Sequence, residues 1–318
     1  MIVKPREFPV HARKLQALLR RISQDHPQYT FIKDALGRSL AGYKGELQVD
    51  YQLSHIPDED YHIFLDLRLL GRQSFFQIDS LLLSKKLIIL LEIKNMSGTL
   101  LFDQNFHQLI RVKDGGEEAF ADPLSQIYRH KKELEYWLGK NRLPSLPITS
   151  LVVISSPYSI IKSTGSTKSI IPKEYLLQKI SQIEYSNQKE ILSEKELRKI
   201  SRHFIKQHTP NLDPILKRFD MQPTELYKGV HCSNCNYLPM QKTYGSWFCP
   251  SCQTYSKTAH LQSLEDYFFL FGQSLTNAEA KAFFRIEKAY TVTRILQNLN
   301  LPYDKKHRTY QLTYPLKN

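Results

Sequence analysis

Two groups of residues in this chain have the types and spacing to do chemistry. The first lies in Phe75-Phe-Gln-Ile-Asp79-Ser-Leu-Leu-Leu-Ser-Lys-Lys-Leu-Ile-Ile-Leu-Leu-Glu92-Ile-Lys94, where Asp79, Glu92 and Lys94 interrupt two apolar strands. An unpartnered charge is costly to bury, so the three are expected to share a site. With Lys85-Lys86 as a two-residue hairpin loop, Asp79 falls directly opposite Glu92 and both carboxylates point to one face. The strand period of two adds Lys94 to that face and sends Leu91 and Ile93 to the other. Lys-Lys is not a favoured hairpin turn, so a slip of one residue stays open. Asp79 and Glu92, two hard oxygen ligands, suit a hydrated Mg²⁺ or Mn²⁺, which stabilises charge on a phosphodiester under attack. Lys94 would orient or help deprotonate the attacking water and offset the added negative charge. The same triplet spacing also arises in plain surface salt bridges. Its place within apolar strands is what separates the two readings.

The second group holds every cysteine of the chain, Cys232-Ser-Asn-Cys235 and Cys249-Pro-Ser-Cys252. Two such knuckles present four thiolates tetrahedrally to Zn²⁺, which saturates the metal and makes it structural rather than catalytic. Disulfides are the rival reading. No signal-like apolar core is visible near the N-terminus, and the expected reducing, cytoplasmic setting favours zinc. Tyr237, Tyr244, Trp247 and Phe248 around the knuckles either stack on bases or form the small core of the module, which resembles zinc ribbons.

Several elements must position these groups. Leu15, Leu18, Leu19 and Ile22 give a helical face near residues 9–22, and a Gly-punctuated segment at 36–42 leads into a second helix carrying Glu46. Strands are expected at about 61–70, 75–83 and 87–94, as a meander. Asp122-Pro123 opens a further helix as N-cap and first helical residue, with Gly139 as its stop. Residues 151–154 read as a buried strand, followed by a polar loop over 155–169.

Gly45-Glu46, Gln77-Ile-Asp79, Glu92-Ile-Lys94-Asn95 with Ser97-Gly98, and Asp122-Pro123-Leu-Ser-Gln126 occur in this order. Together they resemble the nuclease-related domain, NERD, of the broader PD-(D/E)xK restriction-endonuclease-like group, over about residues 36–156. The resemblance implies an α/β restriction-endonuclease-like core of helix, three-strand meander, helix and strand. It implies that Asp79 and Glu92 are metal ligands, Lys94 the catalytic lysine, Glu46 an auxiliary acid and Gln126 a site-organising amide. Glu46 as a solvated helix residue and Gln126 as a backbone partner remain open alternatives.

After the core, charged helical sequence over about 183–230 reads as a connector, with a capping box at Ser193-Glu-Lys-Glu196. The ribbon occupies 231–259. In 260–318, Thr276-Asn-Ala-Glu279 is a second capping box, opening the first helix of a helix-turn-helix whose second helix covers about 291–299. Asp304-Lys-Lys-His-Arg308 between extended segments resembles the basic wing of a winged-helix domain. Residues 276–318 hold eight Lys and Arg (281, 285, 288, 294, 305, 306, 308, 317) against three acids. Docked as winged helices dock, Thr291, Thr293, Arg294 and Gln297 would reach a groove and Lys305, Lys306 and Arg308 the phosphates. The bland reading is a packing or dimerisation module. The expected domains are therefore an N-terminal helical extension (1–35), the nuclease-like domain (36–182), the connector, the ribbon and the tail.

The whole chain of 318 residues carries 44 Lys and Arg against 31 Asp and Glu, a formal charge of +13, which favours a polyanion. No apolar run reaches the ~20 residues of a membrane span. These features point to a metal-dependent nuclease, with DNA ahead of RNA as partner and no membrane. The alternatives are a non-catalytic nucleic-acid-binding or regulatory protein on a nuclease fold, and a homodimer or protein partner held by ribbon or tail.

Overall fold

Apolar strands buried on both faces need layers on both sides, and the computed structural model supplies them. It describes residues 1–166 and 168–313; Lys317, counted above in the basic tail, lies outside the described residues. The chain is a mixed α/β protein that falls into two compact units, Met1–Phe8 with Leu40–Pro210, and Pro9–Ser39 with Asn211–Asn318. In chain order the elements begin with β1 (Ile2–Lys4), α1 (Val10–Leu19), α2 (Tyr29–Leu53), β2 (His62–Leu70), β3 (Phe75–Leu83), β4 (Ile88–Lys94), β5 (Gly98–Asp103), β6 (Gln108–Lys113) and β7 (Gly116–Ala121). Then come α3 (Pro123–Lys140), β8 (Ile148–Ile154), β9 (Ser159–Ser163), β10 (Ile170–Pro172), α4 (Leu176–Tyr185) and α5 (Glu194–Gln207).

The first unit is built on a six-stranded sheet ordered β1-β2-β3-β4-β8-β10. β2, β3 and β4 form the expected antiparallel meander, and β8 runs parallel to β4 after the α3 crossover. Alternate residues feed two cores. Leu81, Leu83, Ile88, Leu90 and Val152 share one with Trp137 of α3 and Phe204 of α5. Leu82, Ile89, Leu91 and Val153 share the other with Val49 and Leu53 of α2 and Ile180 of α4. Such strands read as continuous apolar runs because neither face meets water. Of the segment expected as a connector, residues through Pro210 belong to this unit and those from Asn211 to the other. A second sheet, β7-β6-β5-β9, was not expected, and β9 falls within the stretch read as a polar loop. Its burial alternates weakly, which is why its sequence looks like a loop.

The glycines expected to punctuate residues 36–42 lie inside α2, a continuous helix of 25 residues. Gly139 likewise does not stop α3, which runs on to Lys140 with Asn141 as C-cap.

The second unit contains α1, the first part of α2, and α6 (Ile215–Arg218). A three-stranded sheet follows, of β11 (Gln241–Lys242), β12 (Trp247–Phe248) and β13 (Tyr255–Ser256). After it come α7 (Ala259–Phe271), β14 (Ser274–Thr276), α8 (Asn277–Phe284), α9 (Ala289–Asn298), β15 (Tyr303–Asp304) and β16 (Thr309–Gln311). The last three strands pair antiparallel in the order β14-β16-β15. Both capping boxes form reciprocally, at Ser193 with Glu196 and at Thr276 with Glu279. One core joins Leu15 and Leu18 of α1 to Trp247 of the ribbon and to Phe284, Val292 and Leu296 of α8 and α9. Among the described residues, no helix is long and apolar enough to cross a membrane.

Candidate active site and metal centre

The β3–β4 hairpin closes on Lys85-Lys86, with the Ser84 N–H donating to Leu87 O at 3.0 Å and the Ser84 hydroxyl accepting from the Leu87 N–H at 3.1 Å. The serine stabilises a turn that Lys-Lys alone does not favour. Pairing runs from Leu83 with Ile88 to Ser80 with Leu91, the register that sets Asp79 against Glu92. Beyond Ser80 the ladder ends, and Asp79 Oδ2 accepts the Ile93 N–H at 2.8 Å. The carboxylate takes the place of a further ladder bond.

The alternation of β2 and β3 also changes phase here. In β3, Leu81 and Leu83 share one core with Phe76 and Ile78; in β2, Phe64 shares it with Leu67 and Leu69. The switch in β2 falls at Asp66, whose φ of 56° is a left-handed conformation that aspartate tolerates. Gln77 Nε2 donates to Asp66 Oδ1 at 2.5 Å. Strict alternation therefore holds along β4, where Glu92 and Lys94 continue the row of Ile88 and Leu90, but not through Asp79.

Glu92 is 3% exposed, and Lys94 Nζ donates to Glu92 Oε1 at 2.7 Å and to Gln126 Oε1 at 3.1 Å. Gln126 reaches the lysine because Asp122 caps α3, accepting from Leu124 N–H at 3.0 Å and Ser125 N–H at 2.9 Å. One turn on from Gln126, His130 Nδ1 stands 3.8 Å from Glu92 Oε2. Burial, with the charges of Arg129 and Lys94, pushes the His130 pKa down to about 4, so the ring is neutral. His130 was missed by sequence reading; its i+4 spacing from Gln126 was the available signal.

Glu46 arrives from α2, whose Gly45 lies so close to the end of β4 that an added Cβ would stand 2.4 Å from Asn95 Cβ and 2.5 Å from Ser155 Oγ. Asn95 Nδ2 in turn donates to Ala41 O at 2.7 Å. Arg6, also missed, reaches Glu46 Oε2 at 2.8 Å, Asp50 Oδ2 at 2.7 Å and the Asp79 carbonyl at 2.8 Å. Glu46 and Asp50, one turn apart on a helix, signalled a cation but not which one.

Burial and the charge of Asp79 raise the Glu92 pKa to about 8, against the pull of Lys94. Burial and Asp79 raise Glu46 to about 7, against Arg6. Burial also raises Asp79, opposed by its Ile93 bond. Four carboxyls, Glu46, Asp50, Asp79 and Glu92, thus crowd around two cations, Arg6 and Lys94, and the raised values mark carboxyls short of a counter-charge that a divalent cation would supply. Asp79, Gln126 and His130 line a pocket of about 590 Å³ with Gln77, Arg129 and Lys132, while Glu92 lies buried behind it.

Residues 41–155 match the family model NERD, nuclease-related domain. This part of the chain is a nuclease-related domain. The matched span contains Glu46, Asp79, Glu92, Lys94, Gln126 and His130, whereas Arg6 enters the site from outside it. Comparison with curated proteins and with solved structures gives no match.

Outside the nuclease-related domain, the four cysteines gather so that their sulfurs all lie within 4.8 Å of one another. Among the described residues no other set of three or more His, Cys, Asp or Glu ligand atoms gathers this way, so the carboxylates of the first site offer a metal fewer protein ligands. Cys232 Sγ stands 3.6 Å from Cys252 Sγ, and Cys235 Sγ 3.5 Å from Cys249 Sγ. Four sulfurs around zinc at ~2.3 Å have edges of about 3.8 Å, so this cluster can hold zinc. The thiols are free of disulfides. A hydrogen bond from the Thr254 hydroxyl leads the causes that bring the Cys252 pKa down to about 5, favouring the thiolate a metal needs.

The tail residues separate. Thr291 and Arg294 line a cleft with the ribbon, and Gln297 is exposed. Thr293 is tied to its own module, accepting from Asn277 Nδ2 at 2.7 Å and donating to Ala289 O at 3.2 Å. Lys305, Lys306 and Arg308 are exposed between β15 and β16.

Proposed function

We propose that the chain is a metal-dependent nuclease that hydrolyses phosphodiester bonds of nucleic acid, DNA in first place. The observation that carries this reading is the gathering of Asp79, Glu92 and Lys94 with Gln126 and His130 in a nuclease-related domain, beside a pocket that Asp79, Gln126 and His130 line. Asp79 and Glu92 would hold Mg²⁺ or Mn²⁺, a number of protein ligands typical of Mg²⁺, which keeps several waters and takes further oxygens from phosphate. When bound, the ion lowers the pKa of a coordinated water and offsets charge on the phosphoryl oxygens.

Lys94, steered by Gln126, orients the attacking water and carries positive charge to the reacting phosphate. Glu46 adds acidity at the rim, held in place by Arg6. Neutral His130 stands 3.8 Å from Glu92 Oε2, near enough to meet a ligand held there. The ribbon is a structural zinc module, and free thiols suit a reducing compartment such as the cytoplasm. The tail, read as a winged helix, recruits nucleic acid through Lys305, Lys306 and Arg308.

Cleavage of plasmid and oligonucleotide, DNA and RNA, tests the reading, with Mg²⁺, Mn²⁺ or chelator on wild type beside a folded Lys94→Ala variant. Chelator-sensitive cleavage lost in Lys94→Ala supports it. Absence of cleavage on every substrate, with DNA still bound, would move the assignment to a non-catalytic binding protein.

A further inference from the structure

The second unit carries a cleft that the cleavage site does not use. One lobe, of about 730 Å³, lies between the ribbon and the turn from α8 to α9. A second lobe, of about 530 Å³, shares Lys242, Tyr244, Thr291 and Arg294 with the first. Its cations are crowded: burial and the charge of Arg294 both lower the Lys242 pKa, so an anion seated between them would relieve repulsion. Exposed Arg285 and Lys288 extend the positive wall, with Glu287 as its acid.

Aromatic rings stand over this wall. Tyr244 is 99% exposed at the tip of the β11–β12 hairpin, yet its backbone is fixed. Thr243 N–H donates to Ser246 O at 3.0 Å, the two side-chain hydroxyls lie 2.8 Å apart, and Gly245 takes the positive φ of 70° that the turn needs. Tyr290, 65% exposed, stands on the opposite wall. Packing explains Trp247, which is buried, but not Tyr244 or Tyr290. Exposed rings on an ordered backbone, beside crowded cations, have the composition of a platform for bases and phosphates together.

We propose that this cleft binds a single strand of nucleic acid, with bases stacked on Tyr244 and Tyr290 and phosphates held by Arg294, Arg285 and Lys288. A single strand is favoured over a duplex because ring stacking needs base faces that a duplex covers. The proposal rests on the nuclease reading and narrows it to substrates that contain an unpaired segment.

Fluorescence anisotropy on the full chain tests this, using labelled single-stranded DNA and RNA of about 12 nucleotides and the matching duplexes, within the usual site-size range. Glu92→Gln prevents cutting, and wild type without added divalent cation checks that variant. Tyr244→Ala is expected to weaken single-strand binding about 5- to 150-fold, as loss of one stacked base does, and Tyr244→Phe to preserve it. Arg294→Ala should lower the salt slope of single-strand binding by about 0.7. Unchanged single-strand affinity in Tyr244→Ala, or duplex bound as tightly as single strand, overturns the proposal. If wild type cleaves nucleic acid but binds no single strand, the cleft proposal fails and the nuclease reading stands. If it neither cleaves nor binds any nucleic acid, both fall.

Discussion

Arg6 and Glu46, on separate elements and forty residues apart in the chain, are joined at 2.8 Å, with the arginine side chain only 3% exposed. Removing the arginine leaves Glu46 and Asp50 partly buried without their cation. Arg6→Ala should therefore destabilise the protein by about 3–5 kcal/mol, as breaking a buried pair does. Arg6→Lys should recover part of this without restoring the fork that bridges two carboxylates. Urea unfolding measures both; an Arg6→Ala protein of wild-type stability would show that the cluster needs no cation from the chain.

Glu92→Gln, Asp79→Asn and Lys94→Ala are each expected to abolish cleavage, whereas Glu46→Gln, Gln126→Ala and His130→Ala should reduce it. Ligand binding to the native state alone raises stability by about 2.7 kcal/mol at a hundredfold excess over Kd. A rise in thermal midpoint with Mg²⁺ in wild type, absent in Glu92→Gln, would locate the ion independently of activity. Equal Mg²⁺ stabilisation of both proteins would place it elsewhere.

Without divalent metal, Glu92 and Glu46 titrate at about 8 and about 7, above their ordinary value of 4.5. A carboxyl with a raised folded pKa holds its proton more tightly in the native state than in the unfolded chain. Its contribution is therefore fully present below 4.5 and is lost as pH rises toward 8. The metal-free thermal midpoint should fall across this window, and Mg²⁺ should flatten the fall by favouring the ionised pair. A metal-free midpoint that rises from mildly acidic to mildly alkaline pH contradicts the assignment.

Much of this site was legible because its determinants are local. The hairpin register follows from two apolar runs of matched length, and the capping boxes and the Asp122 cap each need only four residues. The cysteine pairs announce a cluster that can hold a metal. Arg6 and His130 were not legible, since each depends on which distant element docks beside it. Gly37 and Gly42 misled as punctuation, since both lie inside α2, whereas Gly45 is held by the close approach of α2 to Asn95 and Ser155. The phase change at Asp66 and Asp79 was hidden because the strands are apolar on both faces, so either phase looks the same in sequence.

The purified protein should contain about one equivalent of zinc, by the rule for four-thiolate sites. Cys249→Ser, which alters a fully buried sulfur, should lower zinc content and loosen the core around Trp247. Elemental analysis and tryptophan fluorescence report the two effects; a metal-free protein with two intact disulfides would refute the centre.

Substitution, not truncation, tests the tail, because Leu275, Phe284, Val292 and Leu312 belong to the core shared with the ribbon. Changing Lys305, Lys306 and Arg308 together to serine should weaken duplex binding and reduce its salt slope by about 0.9 for each phosphate no longer neutralised. A slope that does not move would assign the wing to protein contacts.

Segment 92–95 is gripped from both sides, Lys94 by Gln126 of α3 and Asn95 by the Ala41 carbonyl of α2. Three stretches distant in sequence must therefore dock for these residues to meet. A change that loosens either helix would therefore reach the lysine without touching it, so the geometry around Lys94 reports on the docking of α2 and α3 together.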